Sequence, residues 1–182
     1  SEYDLSKTQY GLLFLPQVIT AITAALLGAG LGSRFATKPV YLAGLNASLL
    51  SMGLLILSSF LTNHHGLAYV LLLLATASLG AGFGFCVPAL NTFTAAFNPT
   101  AVDRSILVLN ALLGLGTVLA PVFVAIFDGL GFWWGLPLLA AILLVVLIVE
   151  SLRLPLQTET RRTASAQPRA TRRPTSPLRA GV

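Results

Sequence analysis

The chain has 182 residues, 55% of them hydrophobic and 9% charged, with a net charge of +5 and a mean hydropathy of +0.84. An ordinary soluble domain carries about 25% charged residues, so this composition excludes a water-soluble globule and indicates a membrane protein. A single cysteine excludes a disulfide framework.

Charge-free intervals count the spans, because 18 or more consecutive apolar residues match a hydrocarbon core of about 30 Å. The interval from Lys7 to Arg34 leaves residues 8–33 without charge, that from Arg104 to Asp128 leaves 105–127, and that from Asp128 to Glu150 leaves 129–149. Each holds one helix. The interval from Lys38 to Asp103 would be about 96 Å long as a single helix at about 1.5 Å per residue, so it must fold back, and the polar run Thr62-Asn63-His64-His65-Gly66 is where it turns. The expected fold is an all-α polytopic bundle of five transmembrane helices, over residues 10–33, 39–61, 67–97, 104–127 and 132–152.

An odd number of spans puts the chain ends on opposite sides, and cytoplasmic segments collect Lys and Arg. Arg34, Lys38, Arg104 and the seven Arg from Arg153 onward fall on one side, ten of the eleven basic residues, while Lys7 is opposite. The expected topology has the N-terminus outside and the C-terminus in the cytoplasm, in the cell (inner) membrane. Cysteine labelling at His65 from outside and at Thr37 from inside would test it. No signal peptide is visible, because the apolar run after Lys7 is long and ends at a basic loop.

Within the spans, small residues mark faces where helices approach closely. Gly28 and Gly32 share the Gly-x-x-x-Gly spacing, as do Gly80 and Gly84, and Gly116 with Ala120 gives a looser version. Pro16, Pro88, Pro121 and Pro137 fall within the expected spans, where each removes a backbone hydrogen bond and favours a kink. Such kinks suit a transporter, and they are also ordinary in membrane helices.

Polar side chains inside spans cost free energy and often line a pathway. Gln17, Asn46, Asn91 and Asn110 are the candidates. Two readings stand side by side: a solute path, or interhelical hydrogen bonds of about 0.6 kcal/mol each that only hold the bundle together. Counting from the loop ends places Asn46, Asn91 and Asn110 in the cytoplasmic third of the bilayer, where they would gather near an inner mouth.

Residues 155–182 are rich in Arg, Pro, Ser and Thr and nearly lack large apolar side chains. They form an expected disordered cytoplasmic tail, which cannot bury enough surface to offset chain entropy. It reads as a topology anchor and spacer, or as a polybasic patch for anionic lipid. No aromatic residue interleaves with its Arg, so nucleic acid is not an expected partner.

The parts for enzyme chemistry are missing. The sequence holds no acid pair, no Ser/His/Asp or Cys/His set, and no metal spacing around His64 and His65. No cofactor is expected. Cys86 lies inside the third span and reads as a small packing residue. The "GAGFGF" run at residues 80–85 superficially matches a phosphate loop but falls mid-helix, where glycine serves packing.

The stretch "GLLFLPQVITAITAALLGAGLGSRFATKPVYLAGL" resembles the helix, short cytoplasmic loop and next helix of the major facilitator superfamily, whose pattern there is Gly-x-Leu-x-Asp-Arg-x-Gly-Arg-Lys. Leu31 and Arg34 match and Lys38 supplies the final base, while Ala29, Ser33, Ala36 and Thr37 replace Gly, Asp, Gly and Arg. "LGAGFGFCVPALNTFTAAFNPTAVDRSILVLNALLGLGTVLAP" is similar to the family's Gly-rich helix, Pro-containing loop and Gly/Pro helix, with Pro121 closing the match. "FWWGLPLLAAILLVVLIV" is similar to the last helix of a six-helix half.

The resemblance implies the second to sixth helices of one half, lacking the first. The eroded loop motif and long tail favour the C-terminal half, and "LLFLP" is similar to the drug:proton antiporter branch. It further implies a small-molecule solute, a drug or metabolite, moved by alternating access, together with a coupling proton and with the missing helices or the other half as partners. In the family such a loop helps lock the outward-facing state through its Asp, and Ser33 stands at that position here. The alternative is a truncated or degenerate protein that does not transport, or a membrane assembly subunit.

Overall fold

A computed structural model describes residues 7–34, 36–61, 65–132 and 134–154. The expected tail at 155–182 and the turn residues Thr62, Asn63 and His64 lie outside the described residues, as do the side chains of Gly32, Ser33, Arg34 and His65.

The described residues form five helices and no strand: α1 (Lys7–Arg34), α2 (Thr37–Phe60), α3 (His65–Phe97), α4 (Val102–Gly129) and α5 (Gly135–Arg153). All five are long and apolar enough to cross a membrane. In lipid the backbone must satisfy its own polar groups, and a helix does so within one segment. α1 and α4 overrun the expected spans at both ends, and α2 and α3 at their starts, by a turn or less, because the backbone stays helical past the apolar core into the polar flanks. One consequence falls on the α1–α2 connection, where Arg34 ends one helix and Lys38 is already the second residue of the next.

The α4–α5 turn is built by a glycine. Gly131 has φ +78°, a left-handed conformation that disfavours a side chain. Its N–H donates to the Asp128 carbonyl at 3.0 Å, and the Phe132 N–H donates to Phe127 at 3.3 Å. This closing pattern satisfies the last carbonyls of α4. The Phe127 and Phe132 rings meet edge to face at 5.7 Å across the same turn, and a Cβ on Gly135 would strike both.

α5 starts at Gly135, later than the expected residue 132, which corrects the reading of Pro137. Pro137 is the third residue of its helix, where the N–H has no partner to lose, so it starts the helix and does not kink it. Pro16, Pro88 and Pro121 do lie inside helices.

α3 is the centre of the bundle. It packs along both α1 and α2, α5 lies against α2, and α4 touches α3 and α5 over short stretches and neither α1 nor α2. The buried residues are mostly small: Ala24, Ala68, Ala75, Ala89, Ser51 and Ser58, with Leu45, Leu72 and Phe93 among the few large ones. That is the expected chemistry of helix contact in lipid, where tails are as apolar as leucine and close approach does the stabilising.

Candidate functional site

Glycines set the contact between the three packed helices. A Cβ on Gly80 would run into the Gln17 carbonyl and the Thr20 hydroxyl of α1, and a Cβ on Gly84 into the Ala21 carbonyl. Two residues along from each lies Gly82, on the other side of the helix, where a Cβ would meet the Ser48 hydroxyl and the Gly44 carbonyl of α2. Gly44 in turn faces the Gly82 carbonyl at 2.9 Å and Cys86 Sγ at 2.6 Å from its would-be Cβ. One glycine run thus serves two neighbours, because residues four apart share a helix face and residues two apart do not. Sequence reasoning missed the Gly44–Gly82 crossing. The signal was present as Gly44-x-x-x-Ser48 and Gly82-x-x-x-Cys86.

Hydroxyls add cross-links at the same level. Ser51, fully buried, donates to the Ala75 carbonyl at 2.8 Å, joining α2 to α3. The Thr20 hydroxyl lies 2.7 Å from the Ala77 carbonyl across the α1–α3 contact and 2.7 Å from its own helix's Pro16 carbonyl. With one proton it donates to one of them at a time.

The remaining packing candidates fall differently. Gly28 is buried, with a would-be Cβ 3.2 Å from the Phe85 ring and 3.6 Å from Val40. Leu31, in the loop motif, is exposed. Gly116, Ala120 and Pro121 lie on α4, which has no buried residue, and a Cβ on Gly116 would meet nothing within 4 Å. The small-residue face of α4 touches no described residue there. Its spacing permits a contact that the described residues do not supply.

Among the amides, Gln17 lines a cavity of about 350 Å³ together with Tyr41 and Ser48 of α2, Phe83 and Cys86 of α3, and Leu144 of α5. Its described lining is apolar apart from Gln17, Tyr41, Ser48 and the Cys86 thiol, and it holds no Asp, Glu, His, Lys or Arg. Asn46 and Asn110 are exposed, and each donates back to a carbonyl of its own helix, Leu42 at 2.8 Å and Ile106 at 3.0 Å. Asn91 is half-buried, and its Oδ1 is enclosed without a hydrogen-bond partner among the described residues. None of the three asparagines lines one of the described cavities.

At one end of the bundle, Lys38 Nζ donates to the carbonyls of Leu154 at 2.8 Å and Leu152 at 3.4 Å. A cation on the last carbonyls of α5 meets the negative end of the helix dipole. Close by, the Tyr41 side chain of α2 neighbours that of the buried Ser151 of α5. The start of α2 and the end of α5 therefore lie at the same end of the bundle, as five antiparallel spans require. Thr37 is buried there, so the neighbouring exposed Ala36 is the accessible position for labelling. No group of His, Cys, Asp or Glu among the described residues could hold a metal ion.

Compared with known families, residues 1–181 match the model of the Major Facilitator Superfamily. No curated protein and no solved structure matches the chain.

Proposed function

The chain belongs to the Major Facilitator Superfamily of membrane transporters, and we propose that its five helices form part of the scaffold along which a small solute crosses the bilayer by alternating access. The observation that carries this reading is the family match over residues 1–181. The Gln17–Tyr41–Ser48 cavity supports it, since a few polar groups in an apolar wall suit a neutral or amphipathic solute such as a drug or metabolite. A coupling proton is carried elsewhere, because the described lining of this cavity has no carboxylate or imidazole.

In this reading further helices complete the transporter. The bare surface of α4 supports that, for a helix with no buried residue beside a centrally packed α3 leaves room for a neighbour. The chain corresponds to the C-terminal half, with the Lys38 end in the cytoplasm of a cell-membrane protein. Thiol labelling of Ala36→Cys from inside and of Gly66→Cys from outside, in a Cys86→Ala background, would support the orientation, and the reverse pattern would overturn it.

Export of fluorescent dyes and amphipathic drugs by cells expressing the encoding gene tests the transport reading. Export above the vector control that falls in Gln17→Ala and Ser48→Ala supports it. No export of any solute, or export indifferent to every substitution in the cavity, overturns it and favours a membrane assembly role.

A further inference from the structure

The cavity lined by Gln17 is polar at its two ends and apolar between them. Gln17 and Ser48 mark one end at nearly one level, because Gly80 and Gly82, against which they sit, are about 3 Å apart along α3. Tyr41 marks the other end, one helical rise of about 10 Å before Ser48 on α2. Its ring is held toward the Lys38 end by the buried Phe93, which meets it edge to face at 5.8 Å. Leu45 lies between the two ends on α2, with Leu144 and Leu147 of α5 on the facing wall.

Both ends keep hydrogen-bonding capacity. The Gln17 amide has no side-chain partner among the described residues. Ser48 donates to the Gly44 carbonyl at 3.1 Å, which leaves its oxygen able to accept. A phenol such as that of Tyr41 both donates and accepts.

The wall then selects by charge and by shape. The described lining offers no Asp, Glu, His, Lys or Arg, and an ion without a counter-charge is strongly disfavoured in apolar surroundings. A wholly apolar solute would cover the Gln17 amide without pairing it, which is costly as well.

We propose that this cavity binds an uncharged solute with a hydrogen-bonding group at each end of an apolar body about 10 Å long, one end on Gln17 and Ser48 and the other on Tyr41. That the bound molecule is cargo rests on the transport reading of the same cavity.

The test photolabels the full chain in detergent with an eight-carbon terminal diol carrying a mid-chain diazirine, and with the matching mono-alcohol and dicarboxylate. Adducts are mapped by mass spectrometry. The expected result is diol labelling between Phe83 and Leu90 that saturates, is competed by unlabelled diol, and falls roughly fivefold in Gln17→Leu and in Tyr41→Phe. Labelling at the exposed Leu107 and Leu112 of α4 stays unchanged in both variants. The mono-alcohol labels the cavity roughly fivefold less than the diol, and the dicarboxylate does not label it. Absence of saturable labelling there, equal labelling by the mono-alcohol or the dicarboxylate, or labelling indifferent to both substitutions overturns the proposal. Export from cells is read separately. Saturable diol labelling without export of any solute supports the site and overturns the transport reading, whereas dye export without preference for the diol overturns the proposal alone.

Discussion

α3 and α4 are alike in length, hydropathy and possession of a Gly-x-x-x-small spacing, yet one is the centre of the bundle and the other has no buried residue. The difference lies in what faces the glycines. Gly80 and Gly84 meet the backbone of α1, whereas Gly116 meets no atom within 4 Å. In a bilayer, apolarity rewards contact with lipid as readily as contact with protein. Small-residue spacing therefore confers the capacity for close approach, and a partner must be present to use it.

The sharpest way to break that comparison is to add bulk on both helices. Gly84→Leu forces side-chain atoms into the Ala21 carbonyl and should cost about 3 kcal/mol, the upper part of the usual overpacking range, read as a lowered thermal unfolding midpoint in detergent. If Gly84→Leu is as mild as Gly116→Leu, the α1–α3 contact is not what holds the bundle. A smaller effect is expected where α5 attaches to the packed trio. Lys38→Met removes the cation from the Leu152 and Leu154 carbonyls and should cost about 0.5–1 kcal/mol. It would appear as faster amide exchange in the last turn of α5.

Within the α2–α3 contact, Ser51→Ala removes one buried hydroxyl donor to Ala75 and should cost about 0.6 kcal/mol, measurable as a small midpoint shift. Gly116→Leu should stay within about 0.5 kcal/mol of the parent. A large loss there would mean that α4 is covered by a partner in the detergent-purified protein, which would refine the contrast between the two helices.

The number, order and approximate bounds of the helices are legible in the sequence because charge is excluded from hydrocarbon, so Lys7, Arg34, Lys38, Asp103, Arg104, Asp128 and Glu150 punctuate the spans. Helix ends are less legible. Nothing in the composition near Trp134 distinguishes a span starting at residue 132 from one starting at Gly135, and the error carried Pro137 from the first turn to a kink. Partners are less legible still. The same spacing rule selects Gly80 and Gly116 alike, and it offers Gly82 only in the looser form Gly82-x-x-x-Cys86.

The candidate path was read from amide chemistry, which fixes where a polar group is costly and leaves open how it is satisfied. Asn46 and Asn110 turn back to carbonyls four residues earlier, an option available to any asparagine in a helix. Gln17 instead lines a cavity whose other polar members, Tyr41 and Ser48, carry no spacing signal linking them to it. Their proximity arises from the crossing of four helices and cannot be counted off along one.

The bond from Lys38 to α5 ends on main-chain oxygens. Its acceptors are thus indifferent to which side chains occupy positions 152 and 154, and those positions are free to drift. The constraint is one-sided. A variant that loses the amine at position 38 has no simple complement by side-chain exchange on α5, so a suppressor screen should return changes on α2, at Tyr41 for example, in preference to the last turn of α5.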